Sequence, residues 1–176
     1  MLKFEWPLLM PNDGIIKKLS QNTLDIDEYV MDIANKEGLV DGLKEIDGGC
    51  CGMPYLEQAD LDQVTKQAEL VSRELIKYVE KGYKVVTLTA SCGLMLKFEW
   101  PLLMPNDGII KKLSQNTLDI DEYVMDIANK EGLVDGLKEI DGGVTVHNAC
   151  HARAQNMGNK ARDCLLYTSP SPRDGW

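Results

Sequence analysis

An α/β fold, in the form of a small cysteine-rich domain whose strands end in cysteine and lead into helices, is predicted by three features. A long helical period over residues 61–79 gives way to a β-branched run at 83–90. A second such run at 144–149 again precedes a helical segment. Each run stops next to a cysteine, Cys92 or Cys150. Alternating helices and strands are the mark of α/β architecture. The C-terminal ends of strands are where open α/β sheets bind ligands, and a following helix N-terminus favours a thiolate.

The chain begins with a duplication. Residues 1–49 are identical to residues 95–143, solvent-facing lysines and glutamates included. Structural repeats share a pattern and vary in sequence. Complete identity therefore reads as a recent tandem duplication or a chimeric coding sequence, with 1–49 the misplaced copy. Each copy holds ten acids and five bases, so removing one copy's −5 from the total of −9 leaves −4. The acidic balance and the lack of a basic patch argue against a nucleic-acid-binding role.

At 44% hydrophobic and 27% charged, the 176 residues have the composition of an ordinary globular domain with a core. No run reaches the roughly 18–20 apolar residues of a membrane span. The opening Met1 to Pro7 carries an acid and a proline and does not read as a secretory signal. Five cysteines, an odd number, point to a reducing compartment and to metal or redox use rather than disulfides.

Cys50-Cys51-Gly52-Met53-Pro54 is the first chemical landmark. Adjacent side chains on a strand face opposite ways, so two neighbouring thiols serve one site only if the backbone turns. Gly52 permits that turn, and Pro54 discourages an immediate helix. The plain alternative is a pair of buried thiols acting as small hydrophobes.

Asp60 caps the predicted helix that follows. Leu61, Val64, Ala68, Val71, Leu75 and Tyr78 or Val79 form its apolar face, and Gly82 is placed to end it. Tyr83 to Ala90 reads as a buried strand. Leu94 to Met104 is apolar and reads as core, with a partner surface the alternative and its prolines limiting helix there. A short helix is expected over Asp107 to Leu113. Another opens at Asp119 or Asp121, buries Ile120, Tyr123, Val124, Ile127 and Ala128, and ends near Gly132. Val144 to Ala149 is the second predicted strand, and a final helix runs from Ala152 to Leu165. From Tyr167 the chain becomes a Ser/Pro tail that resembles translated adapter read-through, or else a disordered terminus.

Cys50, Cys51, Cys92 and Cys150 are the candidate metal ligands, and four thiolates suit either an iron–sulphur cluster or zinc. Their spacing matches neither a ferredoxin ladder nor a zinc ribbon. His147 and His151 are further candidates; as alternatives, His147 is a satisfied strand histidine and His151 a helix cap. Arg153 and Lys160 either offset a cluster's negative charge or simply decorate a helix. Cys164 adjoins the tail and is not counted as a ligand.

Cys50-Cys51-Gly52-Met53-Pro54, Ser91-Cys92, Leu96-Lys97, Trp100-Pro101 and the run from His147 to Gly158 together resemble the cysteine-rich CCG-domain proteins. In particular they are similar to the C subunit of anaerobic glycerol-3-phosphate dehydrogenase and related heterodisulfide-reductase-type oxidoreductases. The resemblance spans residue 50 to about 164 and is most specific in His-x-x-Cys-His-x-Arg-x-Gln-Asn-Met-Gly.

It implies an iron–sulphur subunit, of [4Fe–4S] type, passing electrons from a flavoprotein dehydrogenase towards membrane quinone. Its implied partners are that flavoprotein and a membrane-anchoring or quinone-reactive subunit. Its implied location is cytoplasmic, peripheral on the inner face of the membrane. Cys50, Cys51 and Cys92 match the first cysteine-rich module and Cys150 opens the second, with His147, His151 and Arg153 beside the cofactor. No catalytic residue for an organic substrate is implied. The family's ferredoxin-like segment and the first module's upstream cysteine are missing, and the second module stops early, so this fragment alone is expected to be inactive. A thiol–disulfide redox module and a zinc-stabilised interaction domain are the alternatives.

Overall fold

A computed structural model describes residues 49–131 and 145–168. The first copy up to residue 48, the helix end near Gly132, Gly142-Gly143, Val144 and the tail after Thr168 lie outside the described residues. The described chain is α/β, mostly helical, with a two-stranded parallel sheet.

Gly52 turns the backbone with φ 90°, and helix α1 (Met53–Glu57) starts immediately after it. Proline thus opens a helix here, contrary to the sequence expectation. The physical reason is position: Pro54 occupies the first turn, where a missing N–H leaves no bond unmade. The left-handed backbone is what favours glycine at residue 52, since a Cβ there would meet Val64 only at ordinary contact distance, 3.4 Å from its Cα.

Helix α2 (Leu61–Val79) has the predicted bounds, but Leu61, expected on its apolar face, is exposed at the first turn. The Asp60 carboxylate accepts the Gln63 N–H at 3.1 Å, and Val64, Ala68, Val71, Leu75 and Val79 are buried. At its end, Gly82 (φ 91°) donates to the Val79 carbonyl and Tyr83 to that of Tyr78, a Schellman closure.

Strand β1 (Val85–Thr87) is shorter than the predicted run, since Leu88 and Thr89 are exposed and lead into helix α3 (Ala90–Leu94). The next stretch corrects a second expectation. Leu94 to Met104 is helical almost throughout: α3 passes into a π-helical turn (Met95–Glu99) and then α4 (Trp100–Leu103). Two substitutions of hydrogen-bond partner make this possible. Trp100 donates to the Met95 carbonyl, one residue beyond α spacing, and the Lys97 carbonyl, which Pro101 cannot serve, accepts the Ser114 hydroxyl at 2.7 Å. Leu94, Met95, Leu96 and Trp100 are core, as expected; Leu102 is exposed.

Asp107 caps helix α5 (Gly108–Gln115), accepting from Ile109 and Ile110 at 2.8 and 3.1 Å. Helix α5 lays Ile110 and Leu113 into the core shared with α2. Strand β2 (Thr117–Asp119) pairs in parallel with β1 in the register Val85–Thr117, Val86–Leu118, Thr87–Asp119. Helix α6 (Ile120–Glu131) follows. Of its predicted buried face, Ile120 is buried and Tyr123, Val124, Ile127 and Ala128 are half-buried, while Met125 and Asp121 are the further buried positions.

The second strand is therefore Thr117–Asp119 and not the run at 144–149. Residues 145–149 are extended in sequence preference and alternate in exposure, yet form no ladder in the described structure. β-branched composition favours an extended backbone but does not supply a hydrogen-bonding neighbour. The last helical segment is two helices, α7 (Cys150–Ala154) and α8 (Lys160–Thr168). Left-handed Asn156 (φ 53°) and Gly158 (φ 75°) break it between them.

Candidate metal centre

Two of the proposed ligands meet. The Cys92 thiol lies 3.2 Å from the Cys51 sulphur, bridging 41 positions of sequence. Cys51 is held by the turn at Gly52, and its carbonyl accepts the Trp100 indole N–H at 3.0 Å in the core. Cys92 is held by α3, directly after β1, where strand-end reasoning places a ligand. Cys50 is exposed, and its sulphur accepts the Gly52 N–H at 3.4 Å.

The Cys92–Cys51 hydrogen bond pulls the Cys51 thiol below its ordinary pKa, against the opposing effect of burial. The same bond, burial and the neighbouring Cys51 and Cys50 sulphurs push Cys92 well above it. In the metal-free chain the pair thus shares one proton, with the thiolate on Cys51. Cys50 is near enough for its charge to act on Cys92.

Cys150 is exposed at the start of α7. It does not terminate a strand, for the reason given above. Helix α7 nevertheless packs against α3, so Cys150 and Cys92 lie on neighbouring helices. His147 and Arg153 are exposed and His151 is half-buried. Cys164, excluded from the ligand set, is buried, and burial with the nearby Asp121 carboxylate pushes its thiol up to about 12.

The contact between α3 and α7 rests on Gln155. Its side-chain N–H groups donate to the Ala90 carbonyl at 3.0 Å and to Asp119 at 3.1 Å, and its carbonyl accepts from Lys97 at 3.1 Å. Lys97 also pairs with Glu122. Asp119 and Glu122 form a reciprocal cap on α6: Asp119 accepts the Asp121 N–H at 3.2 Å, and Glu122 accepts the Asp119 N–H at 2.9 Å. Burial raises the pKa of Asp119, countered by the bond from Gln155. Sequence reading assigned none of this network. The available signal was Lys97, a lone cation inside an apolar run.

Gly93 is what lets Gln155 in. A Cβ there would lie 2.9 Å from both Gln155 amide atoms and from the Thr87 hydroxyl. Gly93→Ala is expected to lower the unfolding free energy in urea by about 1–3 kcal/mol. Adding Gln155→Ala clears part of the clash, so the two changes together should be less harmful than their sum. Strict additivity would show that the Gly93–Gln155 contact is not coupled.

Among the described residues, no three thiol, imidazole or carboxylate groups stand ready-made around a metal ion. The donor chemistry does fit a soft metal, since thiolates are the ligands such metals select. Thiolates at ~2.3 Å from a tetrahedral ion lie about 3.8 Å apart. The Cys51 and Cys92 sulphurs, 3.2 Å apart, need open only slightly to share one. No described helix is long and apolar enough to cross a membrane.

No family model matches the chain, and no solved structure matches it. Over 106 residues the chain is 29% identical to Lactate utilization protein A of Geobacillus sp. (strain WCH70). That similarity covers 58% of this chain and 41% of the relative's length.

Proposed function

We propose that the chain is part of an iron–sulphur electron-transfer protein of the cysteine-rich CCG type. The observation that carries this reading is the Cys51–Cys92 sulphur contact, with Cys50 beside it. In this reading Cys50, Cys51 and Cys92 hold the metal, and Cys150, delivered by α7, completes or extends the site. His147, His151 and Arg153 flank Cys150 on the same segment. When bound, a [4Fe–4S]-type cluster supplies one-electron transfer. The protein's own contribution is to fix the thiols through the Gly52 turn and the Trp100 bond and to set the surrounding charge.

The likeness to Lactate utilization protein A supports an iron–sulphur redox role in general. It also widens the donor beyond glycerol 3-phosphate. Lactate and glycerol 3-phosphate are both secondary alcohols whose oxidation to a ketone releases two electrons, a reaction suited to a flavoprotein partner. We place that flavoprotein upstream, a quinone-reactive membrane subunit downstream, and the chain on the cytoplasmic face. Oxidation of the organic substrate belongs to the flavoprotein.

The 3.2 Å sulphur contact also favours a heterodisulfide-reductase-like module acting on disulfides. Anaerobic reconstitution with iron and sulphide separates the readings. Electron transfer predicts broad visible absorption that bleaches on reduction, with an EPR signal in one oxidation state. A colourless protein with stoichiometric zinc contradicts it and leaves a structural zinc domain. Disulfide reduction without any flavoprotein favours the thiol–disulfide module.

A further inference from the structure

We infer that Cys51 and Cys92 form a reversible intrachain disulfide, a modification site that closes the metal centre under oxidising conditions. The two sulphurs already lie 3.2 Å apart, so bonding at about 2.04 Å needs an approach of little over an ångström. Each cysteine stands at an element boundary, Cys51 in the turn before α1 and Cys92 in the short helix α3, where a small backbone shift suffices. None of the five cysteines is engaged in a disulfide, so both partners are available.

Their exposures assign the order of events. Cys92 is half-buried, whereas Cys51 is 8% exposed. A low-molecular-weight disulfide such as oxidised glutathione meets Cys92 first. Cys92, passing its proton to the Cys51 thiolate across the 3.2 Å contact, attacks one of its sulphurs; that S–S bond breaks, and the released thiolate takes the proton from Cys51 and leaves as a thiol. The Cys51 thiolate then attacks the Cys92 sulphur of the mixed disulfide and expels the second as a thiolate. The protein loses two electrons and the pair's one proton, and the small disulfide leaves as one thiol and one thiolate, which takes its proton from water. The exposed Cys50 is left out of the bond.

The consequence follows from ligand chemistry. Metals bind the thiolate, and a disulfide sulphur carries no such charge. Closing the bond therefore withdraws two ligands at once, and a metal held by them blocks the bond in turn. This consequence, though not the disulfide itself, rests on the metal-centre reading.

The test equilibrates the full metal-free chain in glutathione redox buffers and maps its peptides under non-reducing conditions. Zn2+ titrations follow before and after oxidation. The expected result is a Cys51–Cys92 linked peptide that thiol reductant reverses, with Zn2+ affinity falling at least tenfold on oxidation. Cys50→Ser should leave the link intact. The absence of that link at every redox poise, or a link from Cys50 in its place, would overturn the inference, as would unchanged Zn2+ affinity in the linked protein. If the link forms but the reduced chain binds no Zn2+, the disulfide stands and the metal reading falls.

Discussion

Trp100→Ala is expected to lower the unfolding free energy by about 3–5 kcal/mol, the range for emptying a large aromatic site in a core. Trp100 is fully buried, among the largest such side chains in the described core. It also does something no aliphatic residue can, donating its indole N–H to the Cys51 carbonyl at 3.0 Å. Trp100→Phe separates the two roles. It keeps most of the apolar volume but strands a buried carbonyl, at a cost of about 1–3 kcal/mol. Because that carbonyl belongs to the ligand-bearing turn, Trp100→Phe should also speed alkylation of Cys51. Urea unfolding and site-resolved thiol alkylation read the two effects. A Phe variant with native stability and native Cys51 reactivity would show that the indole bond does not hold the turn.

Asp121 gives the chain a pH dependence of opposite sign to that of a salt-bridged carboxylate. It is 3% exposed, and its Oδ1 has no hydrogen-bond partner among the described residues. Burial, then the adjacent Asp119 and Glu122 carboxylates, raises its pKa to about 7 from 3.8. Between those values the native chain holds a proton that the unfolded chain has lost. Asp121's contribution is therefore fully present below about pH 4, erodes as pH rises, and is gone above about pH 7. At ~1.4 kcal/mol per pH unit the loss is on the order of 4 kcal/mol. Asp121→Asn, which carries no charge at any pH, should flatten this slope and stabilise the chain at pH 8. Urea midpoints from pH 4 to 8 check it; parallel curves for the two proteins would place the charge cost elsewhere.

Structure in this chain was legible where a pattern is local and strong. The period of α2, its Asp60 cap and its Gly82 stop are each written in residues that act on near neighbours. The same holds for Asp107 and for the strand-to-helix placement of Cys92. Where the reading failed, a distant partner decided. Pro101 is tolerated because Ser114, thirteen positions on, serves the carbonyl that proline leaves without a donor. Thr117 to Asp119 is a strand because Val85 to Thr87 pairs with it, although three residues ending in Asp carry little strand signal.

The site divides in the same way. Placement at a glycine turn and at a strand end pointed to Cys51 and Cys92, which the fold brings into contact. Gln155 was visible only as part of a motif. Its work of joining α7 to α3 depends on Ala90, Lys97 and Asp119, residues with no shared local pattern.

The most direct test of the metal-centre reading is a cysteine count against iron. The full chain and its Cys50→Ser, Cys51→Ser and Cys92→Ser variants are reconstituted anaerobically with iron and sulphide, desalted, and assayed for bound iron and visible absorption. The reading predicts that the wild-type chain retains iron and sulphide, and that Cys51→Ser and Cys92→Ser each lose most of both. Iron bound equally by the wild type and by the Cys51→Ser and Cys92→Ser variants would contradict it.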